Sequence, residues 1–64
     1  MTLGDILYDL GNDVAIVSVN ENNVEHAYFG YDEIECIDDD IWFAETVRHL
    51  VVKRDFGYMV YVEI

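Results

Sequence analysis

Three side chains in this sequence carry the chemistry for nucleophilic or metal work, His26, Cys36 and His49. A Cys–His nucleophile needs the two in contact. A zinc site needs four ligands, or three and a water, usually in closely spaced pairs. Here each candidate stands ten or more residues from the next, a spacing that fits a small buried cysteine and two strand histidines better. No glycine-rich phosphate loop, GxSxG or HExxH occurs. Asp55-Phe56-Gly57 matches a kinase trigram, but in 64 residues it reads as a hairpin turn. Asp38, Asp39 and Asp40 are consecutive, whereas a calcium loop takes ligands at alternating positions around a glycine. Neighbouring side chains diverge, so the three are not expected to converge on one ion. The sequence predicts no enzyme, no cofactor and no dedicated metal site.

What remains chemically unusual is the charge itself. Residues 31 to 45 hold Asp32, Glu33, Glu35, Asp38, Asp39, Asp40 and Glu45 with no Lys or Arg among them. Across residues 1 to 47 there are twelve acids and no base, and the only bases are Arg48, Lys53 and Arg54. The net charge is −11. Helix capping accounts for one or two Asp residues, at about 0.3–1 kcal/mol each. Six acids between 32 and 40 exceed that need, and Asp5 and Asp9 add a repulsive i, i+4 pair. Mixed charges would serve solubility equally well. A one-signed surface repels itself, and its general advantage is steering toward an oppositely charged partner. A halophilic origin is the other general cause, and it goes with fewer large apolar residues than are present here. Direct binding of nucleic acid or of an anionic membrane through such a surface is not expected, because phosphates are repelled.

The composition rules out a disordered acidic tail, since 53% of residues are hydrophobic and 14% aromatic. The length predicts a single domain over 1–64, burying only about 60% of its unfolded surface. No apolar run approaches the ~20 residues of a bilayer span, and no signal-like start is present. One cysteine implies no intramolecular disulfide. A cytoplasmic protein is expected.

Several elements must position the acids. Thr2 as N-cap, Asp5 three residues on, the stripe Leu3, Ile6, Leu7, Leu10 and a closing Gly11 predict a helix over 3–10. The β-branched run 13–20, the turn Asn20-Glu21-Asn22-Asn23 and the run 24–30 predict one hairpin. Runs 46–54 and 58–64 flank Asp55-Phe56-Gly57 and predict a second, with Gly57 in a three-residue bulged loop. The acidic crossover has room for one or two helical turns near Asp38 to Ala44. The expected fold is α+β: an N-terminal helix packed on a four-stranded, mainly antiparallel sheet of two hairpins, with a short helical turn in the crossover.

The opening MTLGDILYDL, the strand DVAIVSV and the ending VRHLVV…MVYVEI are similar in layout to small proteins of Firmicutes phages and mobile elements. In size, acidity and α+β layout the whole chain resembles phage-encoded inhibitors of bacterial defence nucleases, including type II anti-CRISPR proteins and anti-restriction DNA mimics. The resemblance implies binding to a Cas9-type effector, in its heteroduplex channel or where it reads the PAM. It contains no diagnostic motif, so it transfers no residue roles.

The residues themselves point the same way. Duplex DNA carries one charge per ~1.7 Å of axis, so twelve carboxylates match roughly six base pairs, about 20 Å. The expected partner is a basic nucleic-acid-binding protein, contacted through Asp32, Glu33, Glu35, Asp38, Asp39, Asp40 and Glu45. Trp42 is expected among them as an aromatic anchor, while Tyr28, Tyr31 and Phe43 either pack beneath the acids or reach the interface. Two other readings fit the composition: an antidote that covers a basic toxin or nuclease, and a structural module whose acidity is incidental. One helix cannot cover both sheet faces, so a homodimer through the sheet is also expected.

Overall fold

The computed structural model describes residues 1–64. The chain begins with helix α1 (Leu3–Leu10) and a 3₁₀ turn (Gly11–Asp13). Strands β1 (Val14–Glu21) and β2 (Val24–Phe29) follow, then helices α2 (Gly30–Ile34) and α3 (Asp39–Trp42), then strands β3 (Arg48–Arg54) and β4 (Gly57–Glu63). The α+β class is as expected. The strand order is β2-β1-β4-β3, with both hairpins antiparallel and the two inner strands, β1 and β4, parallel. The sheet is therefore mixed.

The sequence explains most of the local structure. Thr2 Oγ1 accepts from the Asp5 N–H at 3.2 Å, and the Asp5 carboxylate accepts from the Thr2 N–H at 3.0 Å. This reciprocal pair starts α1 where expected. The Asp5 carboxyl is held below its ordinary value of 3.8, first by the bond from the Thr2 backbone and then by the Thr2 hydroxyl. A depressed pKa gives stability that is present above the unfolded value and lost as pH falls through the folded one. Asp5→Asn is therefore expected to be less stable than wild type at neutral pH. That difference should shrink on acidification below about pH 4, as urea melts at several pH values would show.

Asn22 and Asn23 have φ of +53° and +66° and form a two-residue turn between Glu21 and Val24, which pair directly. Both central residues at positive φ define a type I′ turn, whose twist matches that of the flanking strands. The second hairpin departs from expectation. Arg54 pairs with Gly57, so the loop is only Asp55 and Phe56, and Gly57 opens β4 at φ +128°. Gly57 is required by a contact from outside the hairpin: a Cβ there would stand 2.3 Å from the Asp13 carbonyl oxygen. The expected bulge lies elsewhere, as a register shift between Val14 and Ile16 where β1 meets β4. The third strand begins at Arg48 rather than 46, because Thr46 bonds to the Met1 carbonyl through both its N–H and its hydroxyl.

The largest correction is α2, a helix in the acidic stretch where no element was expected before Asp38. Its residues Gly30–Ile34 are too few to display a period. It is fixed by Ile34, which is buried together with Ile37 just beyond it.

All helices lie on one face of the sheet. Leu3, Ile6 and Leu7 of α1, with Ile34 and Ile37, form one buried cluster with Val17, Val19, Val60 and Val62 of the inner strands. Tyr28, Val51, Ile41 and Trp42 pack around it. Those nine are the only fully buried apolar residues. In a chain with 53% hydrophobic residues, much apolar surface is therefore left outside the core.

Candidate functional site: an acidic helical layer with an aromatic cleft

The fold sorts charge by layer. The helical layer, residues 1–13 and 30–44, carries Asp5, Asp9, Asp13, Asp32, Glu33, Glu35, Asp38, Asp39 and Asp40 and no Lys or Arg. The three bases all lie on β3. Every one of the nine layer acids is exposed. The molecule measures 30 × 21 × 20 Å, so this layer is long enough to span the ~20 Å over which duplex DNA carries a matching charge.

The expected contact residues divide into two groups. Asp32, Glu35, Asp38, Asp39 and Asp40 make no hydrogen bond or ion pair through their side chains. Asp38 stands at the N-cap of α3, where its carbonyl accepts from the Ile41 and Trp42 N–H groups but its carboxylate bonds to nothing. Glu33 and Glu45, by contrast, act within the fold. Glu33 Oε1 accepts from the Phe29 N–H at 3.2 Å and ties the end of β2 to α2. Glu45 pairs with the Met1 amino group and bridges to Thr2. The Met1–Glu45 pair is exposed and contributes little by itself.

Within the layer, α1, α2 and α3 enclose a cleft of about 540 Å³. Leu7, Val14 and Ile34 make its apolar floor, Tyr8, Tyr31 and Trp42 its aromatic walls, and Glu35 adds a carboxylate. Trp42 approaches α1 only because residue 4 is glycine: a Cβ there would lie 2.6 Å from the indole Nε1. The expected anchor Trp42 is half-buried and packs on the core as well as lining the cleft. Tyr8 is 88% exposed and Tyr31 68%. An ammonium or guanidinium suits such a site, with its stem on the apolar floor, its charge over a ring face and a carboxylate within the walls.

Tyr8 was not legible as a site residue, although a signal exists. Gly4, Tyr8 and Gly11 follow the i, i+4, i+7 spacing of one helical ridge, opposite in character to the Leu/Ile stripe. A bulky ring between two glycines on a helix marks a groove on each side of it.

The residues with catalytic chemistry are kept apart. His26 and His49 lie in one cross-strand row on opposite edge strands, three strand spacings or about 14 Å from each other. Cys36 is exposed in the turn after α2, contrary to the buried position expected for it. Nowhere do three His, Cys, Asp or Glu side chains group as for a metal ion, and Asp38, Asp39 and Asp40 do not converge. No helix is long and apolar enough to cross a membrane. Comparison with protein-family models, curated proteins and solved structures found no match to the chain.

Proposed function

We propose that the chain is a non-enzymatic inhibitor that lays its acidic helical layer on a basic, nucleic-acid-handling protein, such as a Cas9-type effector or another defence nuclease of the bacterial cytoplasm. The observation that carries this reading is the segregation of charge: nine acids and no Lys or Arg in one layer, the acids all exposed. Self-repulsion within that layer works against folding, and attraction to a basic groove offsets it only in the complex. The aromatic cleft supports the same reading, because it suits an Arg or Lys side chain presented by such a groove. In this reading the chain acts as a homodimer joined through the sheet, with both acidic layers outward.

The test is competition. The chain is titrated against labelled duplex bound to a guide-loaded Cas9-type nuclease and to a basic restriction nuclease. Displacement of the duplex supports the reading, and its absence at a large excess of the chain sinks it. Protection of cells from a basic toxin without any displacement would favour the antidote reading. Binding is further expected to weaken steeply between ~0.1 and ~0.5 M salt, mainly through the association rate. Affinity that is flat across that range would rule out an electrostatic contact.

A further inference from the structure

The helices cover one face of the sheet and leave the other bare. Strand alternation and the pairing register place three rows across that bare face. The first is Phe29, Ile16, Met59, Val52, the second Ala27, Ser18, Tyr61, Leu50, and the third Glu25, Asn20, Glu63, Arg48, each running from β2 through β1 and β4 to β3. The first two rows are apolar apart from Ser18 and the tyrosine hydroxyl. Phe29 is 57% exposed and Leu50 59%, high for a packed sheet surface. Charge on this face cancels, because Arg48 and Arg54 stand against Glu25 and Glu63. In a chain of net charge −11, this is the one broad surface with no net charge and the one least suited to a basic partner.

We infer that this face is the contact between two copies of the chain, related by a two-fold axis parallel to the strands between β1 and β4. That axis stacks β2 of one copy on β3 of the other and β1 on β4, keeping each row opposite itself. Phe29 then faces the partner's Val52, Ile16 its Met59, and Ala27 its Leu50. In the third row Glu25 faces the partner's Arg48, and Asn20 faces its Glu63. Ser18 faces the partner's Tyr61, and the other residues of the first two rows meet apolar ones. Each charge of the third row meets an opposite charge or a hydrogen-bond donor, while Arg54 lies beyond the paired rows. The other in-plane axis, across the strands, lays Phe29 on the partner's Glu25 and Met59 on its Glu63, burying carboxylates against hydrocarbon at a desolvation cost. The register therefore selects one axis. The natural twist of both sheets adds an angle of about −30° between the stacks, within reach of Arg48 and Glu25 as long side chains.

The area sets the strength. Four strands at ~4.8 Å and three rows at about 7 Å give a flat footprint of roughly 400 Å² per copy. Two such footprints total about 800 Å² before side-chain relief is added, the range of weak, transient interfaces, so dimerisation is expected to depend on concentration rather than being obligate. The inference deepens the dimeric part of the proposed function and needs no basic partner to be true.

Sedimentation equilibrium on the whole chain from about 1 µM to 1 mM should show a monomer passing to a dimer and no larger species. In the dimer, an NOE is expected between the Phe29 ring and the Val52 methyls. Within one copy these lie on opposite edges, about 14 Å apart and beyond NOE range. Leu50→Lys, an exposed change on an edge strand, should keep the circular dichroism spectrum and weaken dimerisation at least about tenfold. A monomer throughout, a dimer lacking the Phe29–Val52 contact, or a Leu50→Lys chain that pairs like wild type would each overturn the inference. Asn substitutions at Asp38, Asp39 and Asp40 leave this mass measurement unchanged, so failure of the dimer and failure of partner binding are read separately.

Discussion

Replacing Asp38, Asp39 and Asp40 together by Asn is expected to weaken binding to the basic nuclease at least about tenfold, a loss of ~1.4 kcal/mol or more, while the melting temperature stays the same or rises. The two halves of this result have separate causes. None of the three carboxylates bonds to anything in the fold, so no contact is lost. Asn keeps the size and capping ability of Asp at the start of α3. Removing three like charges from a layer with no Lys or Arg relieves repulsion. The same removal takes away a third of the layer's charge and hence a large part of its attraction to a basic groove. Duplex competition for affinity and thermal melting for stability check both halves. A variant that melts lower yet competes normally would make these acids structural and remove the basis of the proposed function.

Gly57→Ala is expected to destabilise the fold severely. At φ +128° an L-residue is strained by about 1–3 kcal/mol before any contact is counted. Its Cβ would also stand 2.3 Å from the Asp13 carbonyl oxygen, a backbone atom that cannot rotate away. Together these amount to about 3–5 kcal/mol, comparable to the whole stability of a domain this small. The expected outcome is a chain largely unfolded at 25 °C by circular dichroism. Melting within ~3 °C of wild type would mean that β4 does not pass Asp13 as described.

The sequence was most readable where structure is determined locally. Helix α1 carried three independent signals, the Thr2–Asp5 pair, the Leu/Ile stripe and Gly11, and it runs over Leu3–Leu10 as read. Both hairpins were visible because each is closed by a turn with its own residue chemistry. The parallel join of β1 to β4 was not visible. Val14 to Val19 and Met59 to Val62 are nearly continuous apolar runs, and such runs specify burial without specifying direction or neighbour. The same limit applied to the site. The concentration of acids from Asp32 to Asp40 was plain, but the tasks of Glu33 and Glu45 depend on Phe29 and Met1, which only the folded chain brings near. Tyr8 was hidden because its partner across the cleft, Tyr31, belongs to a helix too short to leave a pattern.

The parallel β1–β4 pair also governs when the molecule is able to form during synthesis. Its inner strands come from the two ends of the chain, with Val17 beside Val60 and Val19 beside Val62. These four valines are most of the sheet's share of the core. Either hairpin can close early and locally, and the first has Leu3, Ile6 and Leu7 of α1 to pack against, but each inner strand keeps an open edge until the other hairpin arrives. A nascent chain carrying only the first hairpin leaves the backbone edge of β1 unpaired and open to another unfinished chain. The sheet is thus completed only when β4 pairs with β1. The dense negative charge of residues 1 to 47 covers that interval, since like-charged nascent chains repel one another while the edge is still bare.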